Sequence, residues 1–376
     1  MSNLIEKNFE TILFHIKSYE CDCAEDVVYT VPGKSPTITF KAQALASSPI
    51  IFSYVSKEGL CRTGPNGAIH ETNILGKMLG LAELSPKAYR EFFTRCGFLF
   101  PISQEEYDII DLSNVQKLIL RLKYAVDLKA AIESIRKDYS KISSLIITLL
   151  HAAPITIKTT MMSHEYKTYE HPFNQFIQTP PLLSRQRQIE ATQGNFFLIN
   201  DPIIQGFRLP VDTFHSINDG SILPSDPYFK NATLMLLNRK INDDNQFIAS
   251  FLFHLNYDQL NGPAPLSDKM QQAALQVAKI ILSHEINYNI RNIKMYVDPL
   301  TLHPTWQIDS LYCAAYFSIF YTSDSVEIMR QCQNPRCKNY FTVKATTTTK
   351  KYCCEECRNR VMQSEYRRRK RIKAEN

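Results

Sequence analysis

Apolar positions repeat at helical spacing in several parts of the chain. Six of them lie in the stretch NILGKMLGLAELSPKAYREFFTRCG: Leu75, Met78, Leu79, Ala88, Phe92 and Phe93. An apolar repeat of about three to four residues predicts helix. Ser85 followed by Pro86 is typical of a helix start, because serine caps free N–H groups and proline fits the first turn. The stretch therefore predicts two successive helices.

Further helices are predicted from the same spacing and from the apolar runs. Their ranges are 112–151, 229–240, 244–257, 268–287 and 309–322. The segment VVYTVPGKSPTITFKAQ instead has β-branched residues around Pro-Gly and Ser-Pro, which predicts a short β-hairpin. The predicted fold class is therefore mainly α, with minor β hairpins.

Composition shifts indicate where the chain divides. The Pro- and Gln-rich stretch EHPFNQFIQTPPLLSRQRQIEATQGN is typical of a loop or linker. We expect an N-terminal mainly helical region, then this loop or linker, then a second helical region and a small C-terminal domain. Their predicted ranges are 1–170, 171–195, 196–329 and 330–376.

Composition places the chain among ordinary globular proteins. Of its 376 residues, 44% are hydrophobic and 21% are charged, which is typical of globular rather than disordered or membrane proteins. Charged side chains interrupt MSNLIEKNFETILFHIKSYE, where an export signal would need an unbroken apolar run. No uncharged apolar stretch reaches the ~18 to 20 residues that cross a bilayer. We therefore expect a cytoplasmic protein with no membrane partner.

Charge is distributed unevenly along the chain. Residues 330–376 contain fourteen Lys and Arg against four Asp and Glu, a net charge of +10. The whole chain has a net charge of +6, so the remaining residues have a net charge of −4. A mildly acidic body with a strongly basic end indicates nucleic acid or another acidic partner.

Five of the ten cysteines lie in this basic segment. Four of them form a C-x4-C pair and a C-x3-C pair: Cys332, Cys337, Cys353 and Cys357. Cys354 is an alternative to Cys353, because Cys354-x2-Cys357 is also a common ligand spacing. Two such pairs suit Zn²⁺, which prefers four soft ligands in a tetrahedron. Four cysteines leave no ligand position for water, so we expect one structural zinc.

The residues around these cysteines predict how the segment folds. KNYFTV and TKKYC are strand-like and flank a threonine-rich turn, and the segment from Glu355 onward contains no proline or glycine that would break a helix. The order of knuckle, β-hairpin and helix is that of a treble-clef finger. The full fold prediction is a multi-helical body followed by a small C-terminal treble-clef zinc finger.

CQNPRCKNYF followed by KKYCCEECRNRVMQSEYRRRKR resembles the CGNR zinc-finger proteins of bacteria. In that pattern the cysteine directly after the aromatic residue is a ligand, so the resemblance implies Cys353 rather than Cys354. The chain differs at the tetrad that names the family, because Arg358 replaces its glycine. The match is specific over about residues 330–376. Proteins of this family are described as transcriptional regulators, and the resemblance implies that role here.

The last predicted helix carries the densest positive charge of the chain. Its basic residues are Arg358, Arg360, Arg367, Arg368, Arg369, Lys370 and Arg371. Such residues neutralise phosphates and give a nucleic-acid affinity that falls with salt. We therefore predict a bacterial regulator or DNA-associated factor that binds nucleic acid through this helix, with DNA preferred over RNA. We recognise no base-reading pattern in it.

A different class of function also fits the sequence. The finger would then be purely structural, in a protein–protein interaction module whose helical body senses a ligand or partner. The consecutive arginines would be a solvated end of the chain.

Motif-like segments elsewhere do not support a reaction. The His284-Glu285 pair lacks the second histidine of a zincin helix, because Tyr288 stands there. His164 and His171 lie in a predicted loop, where histidines are usually polar surface. GKS at 33–35 lacks the first glycine of a P-loop. We therefore predict that the protein is not an enzyme.

Overall fold

The computed structural model describes about two-thirds of the chain. The described ranges are 11–28, 37–45, 50–55, 58–64, 67–82, 85–150, 152–171, 199–200, 205–207, 268–297, 302, 304–321, 327–344 and 349–375. The chain forms two compact units, each assembled from separate segments. The first comprises Met1–Lys123, Thr156–Tyr166 and Asn289–Asn376, and the second comprises Tyr124–Ile155 and Lys167–Tyr288.

Seven helices and fifteen strands lie in the described ranges. The strands are β1 (Thr11–Ser18), β2 (Cys21–Val28), β3 (Thr37–Ala44), β4 (Ile50–Val55), β5 (Gly59–Thr63), β6 (Ile69–Glu71), β7 (Asp108–Asp111), β8 (Thr156–Ile157), β9 (Tyr166–Lys167), β10 (Ile199–Asn200), β11 (Gln205–Phe207), β12 (Lys294–Val297), β13 (Pro304–Ile308), β14 (Glu327–Gln331) and β15 (Tyr340–Lys344). The helices are α1 (Ile74–Leu81), α2 (Pro86–Cys96), α3 (Leu112–Glu133), α4 (Tyr139–Leu150), α5 (Asp268–Ile290), α6 (Leu311–Tyr321) and α7 (Glu355–Glu375).

The first unit is built on a six-stranded sheet with the order β12-β13-β1-β4-β5-β6. β1 runs parallel to β13, with Phe14 opposite Trp306, and the other neighbours are antiparallel. Helix α6 packs against this sheet and is buried from Leu311 to Ile319, which explains why its sequence is apolar on all sides. The Trp306 and Phe317 rings meet at 5.6 Å between centroids.

A second sheet of the first unit has the order β2-β3-β7 and packs against α2. The Phe40 ring of β3 meets the Phe93 ring of α2 edge-on, with 6.1 Å between the centroids. Both side chains are fully buried. Burial of two aromatic rings in this geometry stabilises the contact by about 0.5–1.5 kcal/mol beyond the area effect.

The prediction of a mainly α fold is wrong. The first unit is organised around β-sheets, and the chain mixes helices with sheets that are mostly antiparallel. Apart from the β2–β3 hairpin, the sheets escaped the sequence analysis because several strands are paired with distant parts of the chain, as β1 is with β13. Strand preference depends on such pairing and burial more than on local sequence.

Several local predictions are confirmed. Helices α1, α2, α5 and α6 occupy predicted segments, Pro86 is at the start of α2, and β2 pairs with β3 as an antiparallel hairpin. The single helix predicted over 112–151 is instead two, α3 and α4, separated at 134–138. The predicted helices 229–240 and 244–257 lie outside the described residues, as does almost all of the predicted linker. The predicted division of the chain at 170, 195 and 329 stays a prediction.

Membrane-spanning helices are absent from the part of the chain that the structure describes: none of its helices combines the length and the apolar character that a bilayer requires.

Candidate metal centre

The first cysteine pair lies in the turn of a hairpin formed by β14 and β15. The strands pair antiparallel up to Gln331 opposite Tyr340, and the Cys332 N–H donates to the Asn339 carbonyl at 2.8 Å. Lys338 adopts a left-handed backbone, with φ 58°, which turns the chain back into β15. The turn therefore brings Cys332 and Cys337 to the same end of the hairpin.

This hairpin differs from the predicted one. KNYFTV does form a strand, but its partner is β14, which precedes the first cysteine pair, and no strand forms at residues 349–352. In the TKKYC segment the Lys351 carbonyl accepts from the Gln333 N–H at 3.0 Å, and the Lys350 carbonyl accepts from the Arg330 guanidinium at 3.3 Å. These contacts place Cys353 beside the turn that contains Cys332 and Cys337. That turn is part of the hairpin rather than a separate turn before it.

Four cysteines form a cluster that could hold a metal ion. The sulfurs of Cys332, Cys337, Cys353 and Cys357 all lie within 4.8 Å of one another. The Sγ atoms of Cys353 and Cys337 are 3.6 Å apart, and those of Cys353 and Cys357 are 3.5 Å apart. Zn–S bonds of about 2.3 Å in a tetrahedron place sulfurs about 3.8 Å apart. The donor set and its spacing therefore fit a tetrahedral thiolate site.

Apolar side chains pack against one side of the cluster, and the other side is partly open to solvent. Cys332 and Cys357 are 3% and 6% exposed, and Phe341 and Val343 of β15 pack beside them. Cys337 and Cys353 are partly exposed, whereas Cys354 is exposed. The Cys354 sulfur lies 3.8 Å from that of Cys353 and is not one of the four clustered sulfurs.

The pKa values of the thiols differ across the cluster. Burial raises the pKa of Cys337 to about 11 and also raises the pKa of Cys353. For Cys357 burial raises the pKa too, but the Asn334 side chain and the neighbouring cysteines lower it by more, to about 7. Of these three thiols, Cys357 is nearest to the thiolate form in which cysteine binds metal.

Asn334 is a residue of the site that the sequence analysis missed. Its side chain is 3% exposed, and among the described residues its Nδ2 atom has no oxygen or nitrogen acceptor. The Asn334 Oδ1 accepts from the Arg336 N–H at 3.1 Å, and the Asn334 carbonyl accepts from the Cys337 N–H at 2.9 Å. Asn334 therefore stabilises the turn between Cys332 and Cys337 and also lowers the pKa of Cys357. Its position two residues after a ligand cysteine was the available signal.

Helix α1 packs with its backbone directly against the start of β15 and the turn before it, which belong to the C-terminal finger. A Cβ atom on Gly76 would overlap the Tyr340 carbonyl oxygen, and one on Gly80 would lie 2.9 Å from Asn339 Oδ1. Asn73 joins the two elements: its Oδ1 accepts from the Gly76 N–H at 3.1 Å and its Nδ2 donates to the Tyr340 carbonyl at 2.6 Å. The four-residue spacing of Gly76 and Gly80 was the sequence signal, because it removes side chains from one helix face.

The predicted nucleic-acid residues lie on α7, whose first turn contains Cys357. The six whose side chains are described are all exposed: Arg358, Arg360, Arg367, Arg368, Arg369 and Lys370. Arg371 belongs to the same helix. Arg369 pairs with Glu365 at 3.8 Å, an exposed contact of little energetic weight.

His171 differs from its interpretation as a surface residue. His171 and Glu285 are fully buried, and His171 Nε2 lies 2.9 Å from Glu285 Oε1. The Tyr169 and His171 rings meet at 4.6 Å between centroids, while His164 is exposed as expected. The GKS segment at 33–35 lies outside the described residues.

Comparisons with known proteins yield no relative. No family model matches the chain, and neither the curated proteins nor the solved structures contain a significant match. The resemblance to CGNR fingers therefore depends on the C-terminal residues alone. The four-cysteine cluster and the helix that begins at it are the features of the described residues that bear on function.

Proposed function

We propose that this chain is a zinc-finger protein that binds nucleic acid through α7, as a regulator or DNA-associated factor. The observation that carries the proposal is the arrangement of α7. The helix begins at the cysteine cluster, which fixes its first turn, and its basic side chains are exposed beyond that turn. After Cys357 the helix contains eight Lys and Arg against two Glu. A fixed, exposed and strongly positive helix is suited to a phosphate backbone.

Zinc is the ion we propose for the cluster. Four thiolates in a tetrahedron favour Zn²⁺ or an iron centre over Mg²⁺ and Ca²⁺, which take oxygen ligands. With all four positions taken by cysteine, the metal would be structural. It would join the β14–β15 hairpin to the start of α7 and so fix the helix relative to the finger.

Removing residues 366–376 tests the nucleic-acid function. Those residues lie beyond the last cysteine, so zinc content and the melting temperature of the protein should remain nearly unchanged while most DNA or RNA affinity is lost. Affinity of the intact protein should fall with salt, with a log–log slope of about −3 to −5 on duplex DNA if four or five phosphates are neutralised. A flat salt response, or equal binding by the truncated chain, would contradict the proposal.

A protein–protein interaction module with a structural finger is the second candidate. Two observations favour it: α1 packs directly on the finger, which joins it to the body, and α7 exposes Met362 and Tyr366 at 55% and 68%. Exposed apolar side chains at such spacing suit a protein partner. The truncation experiment separates the two candidates, because only the nucleic-acid function predicts a salt-dependent loss of DNA or RNA binding.

A further inference from the structure

Four arginines of α7 form two stripes on opposite sides of the helix. Successive helical residues are rotated by about 100°, so positions seven or eleven residues apart share a face. Arg360 and Arg367 form one stripe by this spacing, and Arg358 and Arg369 form the other. Arg360 and Arg369 are nine positions apart, which places the two stripes about 180° from each other. All four side chains are exposed.

One face between these stripes is held by the finger and the other is open. Cys357 is buried in the cluster, and Val361, one turn later on the same face, is half-buried. The opposite face carries the exposed residues Asn359, Met362, Gln363 and Tyr366, and Lys370 lies on the same face, eleven positions after Asn359 and seven after Gln363. The helix therefore presents a polar and apolar face flanked on both sides by positive charge.

This arrangement matches the major groove of duplex DNA. The groove is about 12 Å wide, admits one α-helix and has a phosphate backbone along each side. A partner with a single charged surface would leave one stripe unused, whereas a groove engages both. The major groove of A-form RNA is too narrow for side chains to read. The charge complementarity thus favours duplex DNA over duplex RNA.

We propose that α7 lies in the major groove of duplex DNA, with one arginine stripe on each phosphate backbone and with Asn359 and Gln363 on the base edges. The proposal rests on the nucleic-acid function proposed above and adds the groove, the strandedness and a sequence preference. The exposed segment from Arg358 to Lys370 is about 20 Å long at ~1.5 Å per residue, which spans about six base pairs at ~3.4 Å each.

The side chains of the open face indicate which bases they suit. Asn and Gln form two hydrogen bonds with the N6 and N7 atoms of adenine, and apolar side chains contact the thymine methyl group. Asn359 and Gln363, with Met362 and Tyr366 beside them, therefore predict A·T pairs at the positions they contact, and Lys370 on the same face predicts a guanine. The Glu365–Arg369 contact does not prevent phosphate binding, because the pair is exposed and contributes little energy.

The experiment uses the full-length, zinc-loaded protein and a pool of duplexes with randomised centres. Repeated selection should enrich a short A·T-containing motif. Gln363→Ala and Asn359→Ala should each reduce affinity for that motif about tenfold and leave binding to an unrelated duplex unchanged, since a good two-bond contact discriminates by that order. The zinc content of each variant shows that the finger is intact.

Two neighbouring arginines provide the matched control. Arg367 lies in a stripe, whereas Arg368 lies on the side of the helix that faces away from the bases, about 180° from Asn359. Arg367→Gln should reduce the salt slope by about 0.9, the loss of one phosphate contact, and Arg368→Gln should reduce it by less. Both side chains are exposed, so neither change should affect folding.

The outcomes separate this inference from the proposed function. Salt-dependent DNA binding without an enriched motif, together with equal effects of Arg367→Gln and Arg368→Gln, would overturn the groove model and leave the nucleic-acid function standing. Tighter binding to single-stranded nucleic acid or to RNA than to any duplex DNA would do the same. Absence of nucleic-acid binding by the intact protein would overturn both.

Discussion

Gly76→Ala should destabilise the protein, although the same change in an ordinary helix is stabilising. In an exposed helix interior, alanine is more favourable than glycine by about 1 kcal/mol. Here the new methyl group would overlap the Tyr340 carbonyl oxygen, a backbone atom that cannot rotate away. Helix α1 and β15 would have to separate, and this would break the Asn73 Nδ2 bond to the same carbonyl.

The expected size follows from these contacts. Overpacking of this kind costs about 1–3 kcal/mol, and the Asn73 contacts to Tyr340 and to the Gly76 N–H contribute about 1 kcal/mol each. After the gain of about 1 kcal/mol in helix propensity, the free energy of unfolding should fall by about 2–4 kcal/mol. For a unit of this size the melting temperature should fall by roughly 5–15 °C.

Calorimetry of the zinc-loaded protein measures the effect, and a chromophoric chelator measures the rate of zinc release. Gly80→Ala is the graded control, because its Cβ would meet Asn339 Oδ1 at 2.9 Å and Cα at 3.2 Å, so its loss should be smaller. Asn73→Gly removes both side-chain bonds and keeps the left-handed backbone, with φ 54°. A Gly76→Ala variant as stable as the parent would refute the direct packing of α1 against the finger.

Two further predictions concern the cluster and the acid stability of the body. Metal analysis should find one zinc per chain; Cys353→Ser should lose it and Cys354→Ser should retain it, and the reverse result would exchange the two cysteines as ligands. Glu71 accepts from Lys77 at 2.7 Å and lies 3.6 Å from Arg95; burial opposes its ionisation, but these cations hold its pKa below the ordinary 4.5. The stabilisation from a lowered pKa is present above the unfolded-state pKa and lost as pH falls through the folded-state value. Glu71→Gln should therefore reduce the free energy of unfolding by about 1 kcal/mol at neutral pH and by nothing in strong acid. Urea unfolding that shows an equal loss at both pH values would contradict this account.

The candidate site was more predictable from the sequence than the fold was. Cysteines that share one metal ion are recognisable from their spacing, because short loops must bring their sulfurs together. The structure brings together the four cysteines that were predicted. The hairpin was placed on the wrong side of the first pair, since β14 has no distinctive pattern and is defined by its pairing with β15. The sheet of the first unit was missed for a related reason, because β1 becomes central only through β13.

The contact between α1 and the finger illustrates what local patterns omit. Leu75, Met78 and Leu79 were assigned to a helix by their spacing, and that helix is present. Gly76 and Gly80, in the same segment, permit the close contact with β15 and the turn before it. In a sequence, however, a glycine indicates only that some backbone approaches closely, and not which segment it belongs to. The sequence analysis assigned no role to Asn359 and Gln363, because it followed the basic residues of α7.

The pairing of β1 with β13 has a consequence for how the protein is made. About 290 residues separate Phe14 from Trp306, its partner in the parallel ladder, so at about 5–20 residues per second a ribosome needs roughly 15 to 60 s to deliver β13 after β1 has emerged. During that interval one edge of β1 has no strand beside it, and Gly76 and Gly80 face no finger. Exposed strand edges pair readily with other chains. Until β13 emerges, this edge of β1 is therefore open to pairing with a strand of another chain.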